Sequence, residues 1–214
     1  MTRVDKADIG PDRLPPTVRG RHRLQSASAA SAARIIILTG ERGAGKSTVC
    51  RETIALAQAR GHTCGGILTM RRADDALDVL NVRSGYVRRL TLDPDERPAV
   101  IQGCFRFSPE TLAWGNDALG RAVPCQLLVV DELGPLEFEQ GKGWQAAFDV
   151  LSGRDFTLAI VVVRPELIVQ AQLKLPPGAA TVFNVTVENR GDLPQVFVDM
   201  LGKELDPAPR ARHP

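Results

Sequence analysis

The sequence predicts an α/β fold: a three-layer sandwich on a mixed, mainly parallel sheet, with an inserted β-hairpin. Three observations predict it. Short uninterrupted apolar runs, such as Ile35-Ile36-Ile37-Leu38 and Leu127-Leu128-Val129-Val130, suit strands buried on both faces of a parallel sheet. Segments with apolar residues at helical spacing lie between these runs, and such alternation marks an α/β domain. The chain of 214 residues, 43% hydrophobic and 24% charged, has the size and composition of one soluble domain with a small insertion.

Taken in order, residues 1–33 are rich in Pro, Arg, Ala and Ser without apolar periodicity, and a disordered basic leader is expected there. The domain is expected over 34–204, with a β-rich insertion over 70–107 and a flexible tail over 205–214. Arg34 to Leu38 reads as a strand ending in Thr39-Gly40. Lys46 to Arg60 reads as a helix closed by Gly61. Cys64 to Met70 is a second strand. Leu77–Val82 and Tyr86–Leu92, joined by Arg83-Ser84-Gly85, read as an antiparallel hairpin. Cys104 to Phe107 is a further short strand, and Pro109 opens a helix through about Arg121. Gln126 to Val130 is an apolar strand that runs into Asp131-Glu132. Trp144, Ala147, Phe148 and Leu151 form one apolar helix stripe. Leu158 to Val163 and Val182 to Val187 complete the strands. A last helix follows, carrying Leu193, Val196, Phe197, Met200 and Leu201 on one face.

Composition excludes several classes. No apolar run approaches the roughly 20 residues that cross a bilayer. The first thirty residues lack the apolar centre of a secretory signal, so a cytoplasmic protein with no membrane contact is expected. Cys50, Cys64, Cys104 and Cys125 stand far apart with no CxxC pair, which reads as reduced, mostly buried thiols. The three histidines are too scattered for a metal cluster. Net charge is +2, but the leader and tail hold the positive excess and the body between them is slightly acidic. No nucleic-acid footprint results.

The chemistry lies in two segments. Gly40-Glu41-Arg42-Gly43-Ala44-Gly45-Lys46-Ser47, followed by Thr48, matches the phosphate-binding pattern G-x-x-x-x-G-K-[ST] between a buried strand and a helix. Glycines let backbone N–H groups turn inward around phosphates. The helix directs its positive end at the same anion. Lys46 is placed to reach the β- and γ-phosphates, and the Ser47 hydroxyl to ligate magnesium. The second segment is the strand ending in Asp131-Glu132. Asp131 is the candidate for holding a magnesium-bound water, and Glu132 the candidate for polarising the attacking water. Mg2+ arriving with the nucleotide is the metal expected.

From about Arg34 to Leu201 the chain resembles the small P-loop nucleoside-triphosphatases of thermophilic prokaryotes and animals, the cancer-related nucleoside-triphosphatase type. Four segments carry the resemblance: Gly40 to Thr48, Gly66-Ile67-Leu68-Thr69, Val129 to Glu137, and Val182 to Arg190. It implies slow Mg-dependent hydrolysis of ATP, GTP and other nucleoside triphosphates, a mainly parallel sheet flanked by helices, and a monomer. Two departures stand out. Met70-Arg71-Arg72 follows Thr69 where the family has acidic residues. Arg164-Pro165 follows the Leu158–Val163 strand where the family has a small hydroxyl residue.

Rival readings remain at several positions. Gly134 and Pro135 read as a chain turn. Glu137 reads as a helix-start carboxylate or an outer metal contact. Asn189 and Arg190 follow a strand end and either contact the nucleotide's base or ribose or cap a helix. Arg71, Arg72, Arg88 and Arg89 form a phosphate-clamping lid or a solvated face. Arg164 stabilises transferring phosphate or lies on the surface. The leading function is a nucleoside-triphosphate hydrolase. The alternatives are a nucleotide or small-molecule kinase, and a nucleotide-dependent switch serving a protein partner in cofactor or metal-centre assembly.

Overall fold

A computed structural model describes residues 33–178 and 180–202. Apart from Ala33, the expected leader lies outside these residues, as does the expected tail. The strands are β1 Arg34–Thr39, β2 Cys64–Arg71, β3 Leu77–Asn81, β4 Val87–Arg89, β5 Val100–Gln102, β6 Phe105–Phe107, β7 Cys125–Leu133, β8 Phe156–Val163 and β9 Ala180–Asn184. The α-helices are α1 Lys46–Ala59, α2 Pro109–Gly120, α3 Pro135–Phe138, α4 Ala146–Gly153, α5 Ile168–Lys174 and α6 Leu193–Gly202. Among the described residues no helix is long and apolar enough to cross a membrane.

Seven strands form one sheet in the order β4-β3-β2-β7-β8-β1-β9, and β5 and β6 form a separate two-stranded sheet. The pairs β2–β7, β7–β8, β8–β1 and β1–β9 are parallel. β2–β3 and β3–β4 are antiparallel. The expected mixed, mainly parallel sheet is therefore observed, and the hairpin extends its edge.

Strand alternation sorts the core into two halves. Ile35 and Ile37 of β1 face the half that holds Leu119 of α2, Leu151 of α4 and Ala171 of α5. Ile36 and Leu38 face the half that holds Val49 and Ile54 of α1 and Phe197 of α6. Neighbouring side chains on a strand point to opposite faces, so continuous apolar runs require helices on both faces. The three layers follow from that. Helix α1 buries Val49, Cys50, Thr53, Ile54 and Ala57 as one stripe. Its buried Thr53 hydroxyl donates to the Val49 carbonyl at 2.7 Å, so no polar group is orphaned there. Phe197 stands edge-on to Phe183 at 5.2 Å, joining α6 to β9.

Five local differences from the sequence reading have physical causes. β5, a three-residue strand, and α3, a four-residue helix, are too short to show a period. The stretch Pro165–Leu167 forms a 3-10 turn leading into α5, another short element with no named stripe. β7 continues through Asp131 and Glu132, because its pairing with β8 resumes at Leu133↔Val163 after a register shift beyond Val130. Finally, β9 ends at Asn184, earlier than the expected Val187. Its partner β1 stops at Thr39, and the Val185 N–H makes a last bond to the Thr39 carbonyl at 2.8 Å before the chain turns.

Candidate active site

The site gathers at the C-terminal ends of β1, β7 and β8, where open α/β sheets hold ligands. Residues Gly40 to Gly45 link β1 to α1. A Cβ on Gly40 would lie 2.6 Å from the Val185 carbonyl oxygen, so only glycine lets the loop pass beneath the segment after β9. Helix α1 begins at Lys46 with no side-chain cap. Its first-turn N–H groups therefore have no intrahelical acceptor and are available to an anion. Lys46 folds back over the loop, its Nζ donating to the carbonyls of Gly40 at 2.7 Å and Glu41 at 2.9 Å. Glu41, Arg42 and Gly43 are exposed, as are Ser47 and Thr48 at the helix start.

Beneath the helix start lies Asp131, 2% exposed, with its Oδ2 lacking any partner. Burial pushes its carboxyl up to about 7, against the hydrogen bond it accepts from the Ser47 hydroxyl; the neighbouring Glu132 carboxylate raises it further. Thr69 holds the same strand from β2, its hydroxyl donating to the Asp131 carbonyl at 2.6 Å. A buried carboxylate oxygen without a donor, next to a hydroxyl oxygen, is the donor set that a hard divalent cation or its water shell fits. Among the described residues no group of three His, Cys, Asp or Glu side chains could hold a metal alone.

Glu132, the next residue of β7, is partly exposed where Asp131 is buried. Its Oε1 accepts from Arg164 Nε at 2.5 Å, with both side chains partly exposed. Arg164 is the first residue after β8, the strand between β7 and β1, so the sheet order itself brings it to the carboxylates. It is a paired residue of the site. Glu137 is 4% exposed and closes the turn after β7. Its Oε2 accepts from the Gly134 N–H at 2.7 Å and its Oε1 from the Trp144 N–H at 2.9 Å. It is the helix-start carboxylate of α3, and Gly134-Pro135 turn the chain as expected. Burial raises its carboxyl to about 6 despite those bonds.

The segment after β9 lies against the loop from Gly40 to Gly45. A Cβ on Gly45 would meet Arg190 Cδ at 3.1 Å, so the aliphatic stem of Arg190 covers the loop's last glycine. Asn189 is occupied within its own turn: Oδ1 accepts from the Thr186 N–H at 2.9 Å and Nδ2 donates to the Asn184 carbonyl at 2.8 Å. Of the two, Arg190 is the residue that reaches the loop.

The arginines of the insertion form ion pairs at the surface. Arg71 pairs with Asp75, Arg72 with Asp74, Arg88 with Glu110, and Arg89 with Asp93 and Glu96. Arg71 also lines a cavity of about 540 Å³ that opens beside Ser47, Asp131 and Glu132. Sequence reasoning missed Gln102, whose side-chain nitrogen is buried there without a partner. No signal could have found it, since it sits alone on a three-residue strand. Cys50, Cys64 and Cys125 are buried free thiols, and Cys104 is an exposed one.

With this geometry in place, known proteins supply the comparison. The sequence profile described as NTPase matches residues 35–197. The nucleoside-triphosphatase THEP1 of Thermofilum pendens is 30% identical over 172 residues, spanning 76% of this chain and 92% of that one. The protein of the same name from Methanopyrus kandleri is 24% identical over 163 residues, spanning 74% and 89%. Two solved structures share the fold. THEP1 from Aquifex aeolicus has a TM-score of 0.60 at 14% identity, covering 79% of this chain and 99% of that one. A human cancer-related nucleoside triphosphatase has a TM-score of 0.58 at 23% identity, covering 78% and 96%.

Proposed function

The chain belongs to the NTPase family, and on that premise we propose that it hydrolyses nucleoside triphosphates to diphosphate and phosphate with magnesium, using water as acceptor. One observation carries the reading of the site: Ser47 at the start of α1 lines one cavity with the buried Asp131 carboxyl, whose Oδ2 has no partner, beside a glycine loop that Lys46 spans. This is where a triphosphate's terminal phosphates and their cation belong.

In this reading the backbone N–H groups from Gly43 to Thr48 receive the phosphates. Lys46 exchanges its two loop carbonyls for β- and γ-phosphate oxygens, trading neutral acceptors for charged ones. Ser47 and Asp131 would hold Mg2+, which supplies neutralisation of the charge developing across the phosphate oxygens. Glu132 orients the attacking water through Oε2, the oxygen that Arg164 leaves free. Phosphoryl transfer runs through a loose transition state that asks more for placement than for a strong base. A carboxylate fixed in place by an arginine suits that task. Arg164 is thus a positioning residue, and Arg190 contributes positive charge above Gly45. The four free cysteines support a reducing, cytoplasmic setting.

The test is phosphate release from ATP, GTP, CTP and UTP, with and without magnesium, for wild type and Lys46→Ala. Release from several of the four that needs both magnesium and Lys46 is expected. Release that persists in Lys46→Ala, or in the presence of chelator, overturns the assignment.

A further inference from the structure

A water molecule occupies about 30 Å³ of liquid, yet the space that opens beside the catalytic carboxylates measures about 540 Å³. That is within the roughly 300–1,000 Å³ range of pockets for small organic ligands. The nucleoside does not account for it. Residues 40–46 of the phosphate loop contribute nothing to its lining, and the segment that lies on that loop, Asn184 to Arg190, is absent from its walls too. The cavity begins at Ser47 and Asp131 and extends away from the loop, beneath the inserted strands.

Its walls are built for an organic body. Phe105 and Phe107 of β6 stack at 5.9 Å with ring planes 10° apart, and Leu90, Leu112 and Trp144 continue the apolar lining. Polar groups converge at defined points. The buried Gln102 nitrogen has no acceptor in the protein, and a buried donor left unpaired costs about 1–3 kcal/mol, so a ligand acceptor atom here would recover a penalty already present. Gln102 Nε2 also faces the reacting end: around Cα of Gly134, a Cβ would stand 3.6 Å from it and 3.8 Å from Glu132 Oε1. Arg51 and Arg71 stand at the rim, Arg71 lying 5.9 Å over the Phe105 ring. Its surface pair with Asp75, whose side chain is 87% exposed, is too weak to prevent it from serving an anion.

We propose that this cavity is an acceptor site: it takes a small organic molecule with an aromatic or alicyclic body, an anionic group toward Arg51 and Arg71, and a hydroxyl toward Glu132. The proposal rests on the nucleotide reading given above. When the site is filled, the acceptor hydroxyl replaces water. Its oxygen bonds to the γ-phosphorus as the bond from that phosphorus to the β,γ-bridging oxygen breaks. The electron pair leaves with the nucleoside diphosphate, and the hydroxyl proton passes through Glu132 to solvent. Hydrolysis is then what the enzyme does when the cavity holds only water.

The experiment uses the full chain and a probe panel of hydroxymethyl- and hydroxyethyl-substituted benzoates and cyclohexanecarboxylates, with the corresponding alkyl analogues lacking the hydroxyl. Ligand-observed NMR reads binding, and mass spectrometry reads phosphate-ester formation from Mg–ATP. Probes of both kinds are expected to bind alongside saturating Mg–ADP and to bind Lys46→Ala as well as wild type. They should bind Gln102→Leu about tenfold more weakly, the loss of one hydrogen bond to a polar ligand. Only hydroxyl-bearing probes should yield the ester. Gln102→Leu should unfold at or above the wild-type temperature, since it removes an orphaned donor, which separates a binding defect from a folding one. The proposal is overturned if no probe binds, if ADP displaces the probes, if Gln102→Leu leaves their affinity unchanged, or if phosphate appears only as the inorganic ion. Absence of any phosphate release from wild type would instead fall on the hydrolase reading.

Discussion

Glu132→Gln separates chemistry from binding and from stability, because the structure bounds each effect. The substitution keeps the side-chain volume and one hydrogen-bond acceptor, so Arg164 retains a neutral partner. What is lost is one ion pair between side chains that are 42% and 35% exposed. Pairs of that exposure are worth about 0.5–1 kcal/mol after screening. At about 2–4 °C per kcal/mol for a domain of this size, the melting temperature should fall by roughly 1–4 °C. Nucleotide affinity should hold, since the loop, Lys46, Ser47 and Asp131 are untouched. The turnover rate should fall about 10²–10⁴-fold, or roughly 3–5 kcal/mol of barrier, the usual contribution of a residue that positions and polarises the nucleophile. Single-turnover phosphate release, beside fluorescent-nucleotide titration with magnesium, measures both quantities on one preparation. Arg164→Ala in the same assay should cost about tenfold in rate with unchanged affinity, and the double variant should be no slower than Glu132→Gln alone, as expected when one residue acts through the other. A Glu132→Gln enzyme that turns over at the wild-type rate would refute the assignment. A double variant slowed by the product of both effects would show that Arg164 acts on the phosphate directly.

Other perturbations test neighbouring links. Lys46→Ala should lose most triphosphate affinity, because a charge-assisted contact disappears; calorimetry showing wild-type affinity would contradict that role. Asp131→Asn should weaken the magnesium dependence of both binding and rate, read as a shift of the magnesium titration midpoint. Gly66→Ala places a methyl 1.9 Å from the Val129 carbonyl oxygen at φ 109°, so the β2–β7 pairing must open. A loss of about 3 kcal/mol or more, or failure to fold, is expected from thermal unfolding. For Glu137, burial raises the carboxyl from 4.5 to about 6, so the folded state binds the proton more tightly than the unfolded state. The Glu137 share of stability should therefore decline by about 2 kcal/mol as pH rises from roughly 4.5 through 6, on top of the decline that Asp131, raised to about 7, contributes up to neutral pH. Glu137→Gln should lose only that share and keep the Asp131 slope in denaturant titrations across the range.

How much was legible in the sequence depends on how local each signal is. The glycine loop, the apolar strands before Gly40 and Asp131, and the stripes of α4 and α6 each lie within one contiguous segment. Their physics, backbone freedom at glycine and burial of alternating or helical faces, acts over a few residues. The expectation that Asp131 lies beside the glycine loop came from two such segments, and the fold lines one cavity with Asp131 and Ser47. The role of Glu137 was readable as one of two alternatives, because a carboxylate three residues after a Gly-Pro turn is a local capping pattern.

The sequence by itself thus determined the α/β class, the glycine loop between β1 and α1, and the strand that carries Asp131 and Glu132. Only the tertiary structure decided what surrounds them. Arg164 meets Glu132 across 32 positions because β8 is inserted between β7 and β1 in the sheet. Arg190 reaches Gly45 because β9 pairs with β1 and must end where β1 ends. Gln102, Phe105 and Phe107 join Asp131 around one cavity because a two-stranded sheet too short to show a period folds over the site. Strand order and the closure of long loops are set by the summed packing of both faces of the sheet. No window of neighbouring residues contains that sum.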